Sequence, residues 1–236
     1  MTTGFHTAAT GMIWAQKSLD VTANNIANTS TQGYNADKAS FADLLYTEVR
    51  GQPNQSPDLK IGHGSKLGKT DTLFTEGPLS ETGEPQDYAL SDARNFFAVR
   101  TADGTTAYTR GGSFILSKHT DGRFYLADGA GEDVLDAGGQ PIAVTDEEKT
   151  QNIGVFTFRN LDGLEKAGDD KYMATTRSGP ASVVANAEVR QGCLESSTVD
   201  MATEMSNMVV QRRAYELNAK MVTMTDEVMQ TVNNLS

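Results

Sequence analysis

What most constrains this chain is where glycine and proline are missing. Residues 196 to 236 contain neither, and residues 1 to 30 contain no proline and only Gly4 and Gly11. All six prolines and all but two of the 22 glycines lie between. Both residues punctuate turns and are disfavoured in helix interiors. The chain must therefore read as helix, turn-rich body, helix. Its 236 residues allow one large domain or two small ones.

In the first segment Phe5, Met12, Leu19 and Ile26 recur every seven residues, with Ala8, Ala15 and Thr22 at the intervening positions. This predicts a heptad seam over Phe5 to Ala27, roughly 35 Å long. The seam is weak, because Asn24, Asn25 and Asn28 are poor helix formers and alanine and threonine supply little apolar area. The last segment is stronger. Ser197 or Thr198 is the expected N-cap, with Asp200 and Glu204 near the positive end of the helix dipole. One stripe runs Val210, Ala214, Leu217, Met221, Met224, Val228, Thr231, Leu235, and a nearly opposite one runs Met201, Met205, Met208, Arg212, Tyr215, Ala219, Val222, Asp226, Met229. A helix with two apolar stripes buries both most readily among other helices. One heterologous contact, repeated without closing, generates a filament.

The middle reads as β. The runs 95–100, 106–110, 113–117 and 123–127 are aromatic or β-branched, and are separated by Asp103-Gly104, Gly111-Gly112 and Asp121-Gly122, with Asp128-Gly129 after the last. Runs at 134–144, 153–158, 171–175 and 182–190 complete an antiparallel body of about eight to ten short strands. Residues 51–65 form a polar Gly/Pro-rich connector. The expected class is α+β: terminal helices pairing as a coiled coil, flanking an antiparallel β-rich domain.

Little points to chemistry. The net charge of −11 argues against nucleic-acid or anionic-membrane binding. No run approaches the length of a spanning helix. The N-terminus lacks a basic region followed by an apolar one, so no cleavable secretory signal is expected. The single cysteine, Cys193, excludes an intramolecular disulfide and reads as a buried, inert thiol. His6, His63 and His119 have no second ligand at metal spacing. Residues 61–68, IGHGSKLG, are one residue too long for the dinucleotide fingerprint and read as a glycine-rich turn entering a strand. No G-x-S-x-G elbow occurs. No catalytic residue, cofactor or metal is expected.

The stretch 19–46, with its core ANNIANTSTQGY at 23–34, resembles the N-terminal signature of bacterial flagellar rod and hook proteins. The likeness continues through 73–90, 95–99 and 108–142. It closes at 192–229, where Gln211-Arg212-Arg213-Ala214-Tyr215-Glu216 resembles the family's C-terminal core. The resemblance implies a structural subunit, not an enzyme. Residues 1–50 and 192–236 would form a discontinuous helical inner domain, 51–84 an extended connector with first strands, and 85–191 an outer β-rich domain. The subunit would polymerise into a hollow helical tube that transmits torque and serves as an export channel.

The partners implied are copies of itself, other rod and hook subunits and the flagellar export apparatus, with no nucleic acid and no membrane insertion. The place implied is the basal body, in periplasm or cell wall, reached without a cleaved signal peptide. Length and residues 61–83 favour a distal rod subunit. A proximal rod or hook subunit, or a secreted β-rich peptidoglycan-binding module, are the alternatives. The assembly interface is expected at Phe5, Met12, Leu19, Asn24, Asn25, Ile26, Asn28, Gly33, Met208, Arg212, Arg213, Tyr215, Glu216, Leu217, Met221, Met224 and Val228. Within it Phe5, Met12, Leu19 and Ile26 should pack on Leu217, Met221, Met224 and Val228, the asparagines should bond to backbone or a neighbouring subunit, and Gly33 should take the turn after the helix.

Overall fold

A computed structural model describes residues 2–43, 46–49, 59–62, 65–144 and 151–235. The chain divides into two compact units. One comprises residues 1–27, 37–71 and 200–236, the other residues 28–36 and 72–199.

The first unit holds both long helices, α1 (Thr2–Ala27) and α2 (Met201–Asn234). The N-cap of α2 is Asp200, not Ser197 or Thr198. Its carboxylate accepts from the Ala202 N–H at 3.1 Å and from the Thr203 hydroxyl at 2.6 Å. These bonds, the hydroxyl's first, hold the carboxyl below its ordinary range. The hydroxyls of Ser197 and Thr198 are otherwise engaged, accepting from the N–H groups of Val199 and Ala36. This unit also contains strands, which the helical pattern of its ends does not announce. Asp37–Asp43 pairs with Ser65–Thr72, and Tyr46–Val49 pairs antiparallel with Leu59–Gly62. Phe41 stacks on Trp14 of α1, ring centroids 4.6 Å apart, which ties the first of these strands to the helix. Residues 51–58 and 63–64 of the expected connector, His63 and Gly64 of the glycine-rich run among them, lie outside the described residues.

The second unit is built on a ten-stranded antiparallel sheet among the described residues. Its main path runs Ala143–Val144, Phe124–Ala127, Asp133–Val134, Asn95–Arg100, Thr106–Thr109, Lys171–Met173, Glu165–Gly168. The Asn95–Arg100 strand shows why the sheet is covered on both sides. Phe97 and Val99 pack with Tyr88, Phe114, Leu126 and Val134, while Phe96 and Ala98 pack with Tyr108, Leu135, Phe158 and Tyr172. Alternation sends successive side chains to opposite faces, and here both faces are apolar. Lys171 is also buried, its Nζ 2.7 Å from Asp128 and 2.6 Å from Glu132. Burial alone would lower its pKa, but the two carboxylates more than offset this and leave it raised.

The expected Asp-Gly turns at 103–104 and 121–122 form, with Gly104 and Gly122 at positive φ. Gly111-Gly112 does not supply such a turn. Gly112 is needed for close approach instead: a Cβ there would fall 1.6 Å from the Tyr88 carbonyl oxygen. Cys193 is half-buried rather than buried; it opens the strand Cys193–Glu195, paired with Leu79–Glu81, whose other two residues are buried.

Candidate assembly surface

Two contacts fix the direction of the helix pair. The Asn25 side-chain amide donates to Glu204 at 3.2 Å, and Gly11 faces Asn218. Along either helix the two contacts lie fourteen residues apart, in opposite chain directions. The helices are therefore antiparallel over at least about 21 Å.

The seam on α1 is Ala8, Gly11, Ala15, Ser18, Thr22 and Asn25, all buried and spaced three and four apart. The seven-residue period is the expected one, but only one of the two expected columns, Ala8, Ala15 and Thr22, lies in the seam, and the column beside it is Gly11, Ser18 and Asn25. Phe5, Met12, Leu19 and Ile26 sit on the flank, Phe5 exposed and the other three half-buried. On α2 the half-buried positions at the same spacing are Glu204, Met208, Gln211, Tyr215, Asn218, Val222 and Thr225. So the expected packing of Phe5, Met12, Leu19 and Ile26 on Leu217, Met221, Met224 and Val228 does not occur within the chain. The reason is distance. Small side chains let two helix backbones approach closely, and bulky ones must then lie outside the contact line. Gly11 marks the tightest point, where a Cβ would lie 2.8 Å from Asn218 Oδ1. Asn218 is held there by its amide, which donates to the Ala214 carbonyl at 2.9 Å.

The asparagines take different roles. Asn25 is buried. Its amide donates to the Asp37 carbonyl at 2.8 Å, and its oxygen accepts from the Asp37 N–H at 2.9 Å. That bidentate bond docks the chain just beyond the helix back onto α1. Asn28 Oδ1 accepts from the Thr31 hydroxyl at 3.1 Å, and Asn24 is exposed. Gly33 has φ +69° and is buried in the β-rich unit.

The remaining α2 residues face outward. Leu217, Met221, Met224 and Val228 are each more than half exposed, and Val210 and Leu235 extend their line in both directions. The line lies about a third of a turn from the seam. On the other flank Met201, Met205 and Val209 are exposed too. Among the described residues no α2 side chain is fully buried. Beside the stripe Glu216 contacts two arginines, Arg212 Nε at 3.1 Å and Arg213 Nη1 at 3.7 Å. Such exposed pairs contribute little stability. Among the described residues no group of three metal-binding side chains occurs, and no helix is long and apolar enough to cross a membrane.

Comparison with known proteins bears on what meets this surface. Residues 5–35 match the family described as flagella basal body rod protein, and residues 190–235 match the flagellar basal body rod FlgEFG protein C-terminal family. Flagellar basal-body rod protein FlgG of Bacillus subtilis is 33% identical over 268 residues, covering 100% of this chain and 99% of the relative. The chain belongs to the flagellar basal-body rod protein family. FlgG of Agrobacterium fabrum is 34% identical over 96% of each chain, and FlgF of Caulobacter vibrioides is 30% identical over 90% of this chain. The rod protein is thus most like the distal rod member, and it is a structural component of the flagellar basal body. The two family matches cover α1 with the turn beyond it and α2 with the strand before it, the elements that carry the seam and the exposed stripe.

Proposed function

We propose that the rod protein polymerises with copies of itself, and with neighbouring rod and hook subunits, into a hollow helical tube that transmits torque and passes exported subunits. The observation that carries this reading is the exposed apolar line Val210–Leu217–Met221–Met224–Val228–Leu235 on a helix already paired with α1. A second helix pair covering it would remove that surface from water. Arg213 and Glu216, the latter paired with Arg212, lie beside that line, while Phe5, Met12, Leu19 and Ile26 lie on the opposite flank of the helix pair, where a second neighbouring copy would meet them. Met208, Tyr215, Asn25 and Gly33 act from inside the chain, by setting the helix pair and its exit. On this reading the helical unit is the inner, assembling part and the β-rich unit the outer one. The subunit has no enzymatic activity and is delivered by the flagellar export apparatus to the periplasmic or wall section of the basal body.

Photo-crosslinking from position 221 in intact basal bodies tests the contact. Crosslinks to residues 1–27 or 200–236 of a neighbouring copy are expected. Crosslinks only to the β-rich unit, or none, would overturn it.

A further inference from the structure

Four chain crossings join the two units, at 27/28, 36/37, 71/72 and 199/200. Inside the β-rich unit they lead into three segments: 28–36, 72–78 and 195–199. A backbone network laces these together. The Thr198 N–H donates to the Tyr34 carbonyl at 3.1 Å, the Leu73 N–H to Ala36 at 2.9 Å, the Ser196 N–H to Pro78 at 2.9 Å and the Gly33 N–H to Glu195 at 2.8 Å.

One ion pair then fastens this network to the sheet. Glu195 Oε2 lies 2.9 Å from Arg110 Nε and 2.7 Å from its Nη2, and both side chains are almost wholly buried. Glu195 Oε1 accepts from the Gly77 N–H at 2.8 Å. On the other side Arg110 Nη1 donates to the carbonyls of Asp92 and Asn95, both at 2.9 Å, at the start of the central Asn95–Arg100 strand. The packing leaves no slack. A Cβ on Gly33 would lie 2.6 Å from the Arg110 backbone, and one on Gly77 would lie 2.3 Å from the Ser196 carbonyl. Replacing a buried ion pair by apolar residues of similar volume is often neutral or stabilising. Stability alone therefore does not account for charges here. Their directionality does: an arginine that donates from Nε to the carboxylate and from Nη1 to two carbonyls, and a carboxylate that accepts on both oxygens, hold several backbone segments in one geometry.

We propose that Arg110–Glu195 is a lock that orders the three connecting segments on the body, separately from the folding of the sheet itself. In a torque-carrying subunit it would keep the roots of the terminal segments from working loose. That use rests on the rod reading; the lock does not, and the experiment reads the lock alone.

The test is amide hydrogen exchange on the full-length monomer. In Glu195→Gln, amides of residues 33–36, 73–78 and 195–199 should exchange about a hundred- to a few thousandfold faster, the factor implied by leaving one partner of a buried ion pair uncompensated. Amides of 96–99, 106–109 and 124–127 should exchange as in the wild type. Uniform acceleration, or no change, would overturn the proposal. If that variant does not fold, Arg110→Met with Glu195→Leu keeps the volume apolar. Its sheet amides should be protected while the three segments stay fast, and protected segments would overturn the lock.

Discussion

Replacing Leu217 with aspartate separates two roles a helix residue can have. Leu217 is 63% exposed in the monomer and lies on the α2 face turned away from α1. The monomer should register the change only modestly: about 0.5–1 kcal/mol for the part of the side chain already covered and about 0.5 kcal/mol of helix propensity, read by thermal denaturation followed by circular dichroism. Assembly should register it strongly. Full burial of leucine is worth about 1.5–3 kcal/mol, so covering the exposed share contributes about 1–2 kcal/mol per contact. An aspartate in its place adds the cost of desolvating a carboxylate with no partner, several kcal/mol more. Each subunit bears the defect, so the concentration needed for polymerisation should rise by a hundredfold or more, since every ~1.4 kcal/mol is tenfold. The assay pairs monomer denaturation with recovery of the chain in isolated basal bodies. A variant that melts far below the wild type would place Leu217 in the monomer's own core. A variant recovered at wild-type yield would remove the stripe from the assembly contact.

Gly11→Ala should change sign with its neighbour. In the wild type the new methyl meets Asn218 and costs about 1–3 kcal/mol, more than the ~1 kcal/mol of helix propensity it gains. In an Asn218→Ala background the same change should stabilise, which urea denaturation of the four chains would show. Asn25→Ala should cost about 1–3 kcal/mol by stranding the Asp37 N–H and carbonyl, with faster amide exchange at 37 as the readout. Phe96→Ala should cost about 3–5 kcal/mol in equilibrium unfolding, because the rings of Phe74, Phe158 and Tyr172 lose the neighbour they share. Lys171 has a raised pKa in the fold, so its contribution is complete below the ordinary lysine value of about 10.4 and is lost as pH rises through the folded value. Tyr88 and Tyr108, pushed up by burial, lose stability in the same direction. The Lys171 share is the difference between wild type and Lys171→Met in a denaturation series above pH 10.

Much of this architecture is local and therefore written in the chain. The exclusion of glycine and proline from residues 196–236 is enough for α2, and the Asp-Gly pairs at 103 and 121 are enough for two turns. The seven-residue period of α1 revealed the existence of a seam, and the motifs at 23–34 and 211–216 carried a resemblance that relatives along the full length support. What the period could not reveal was which column of the heptad faces the partner. Large residues at Phe5, Met12, Leu19 and Ile26 look like the core by area, yet Ala8, Gly11, Ala15, Ser18 and Thr22 occupy the contact line. Two backbones that come this close admit only small side chains between them, and closeness is a property of the pair. The same limit applies to Arg110 and Glu195, which lie 85 residues apart and look like surface charges until the fold brings them together. Periodicity and turn chemistry act over a few neighbours in sequence and can be read there. The choice of face, the depth of burial and the partner of a charge depend on residues far along the chain, and only the packed structure decides them.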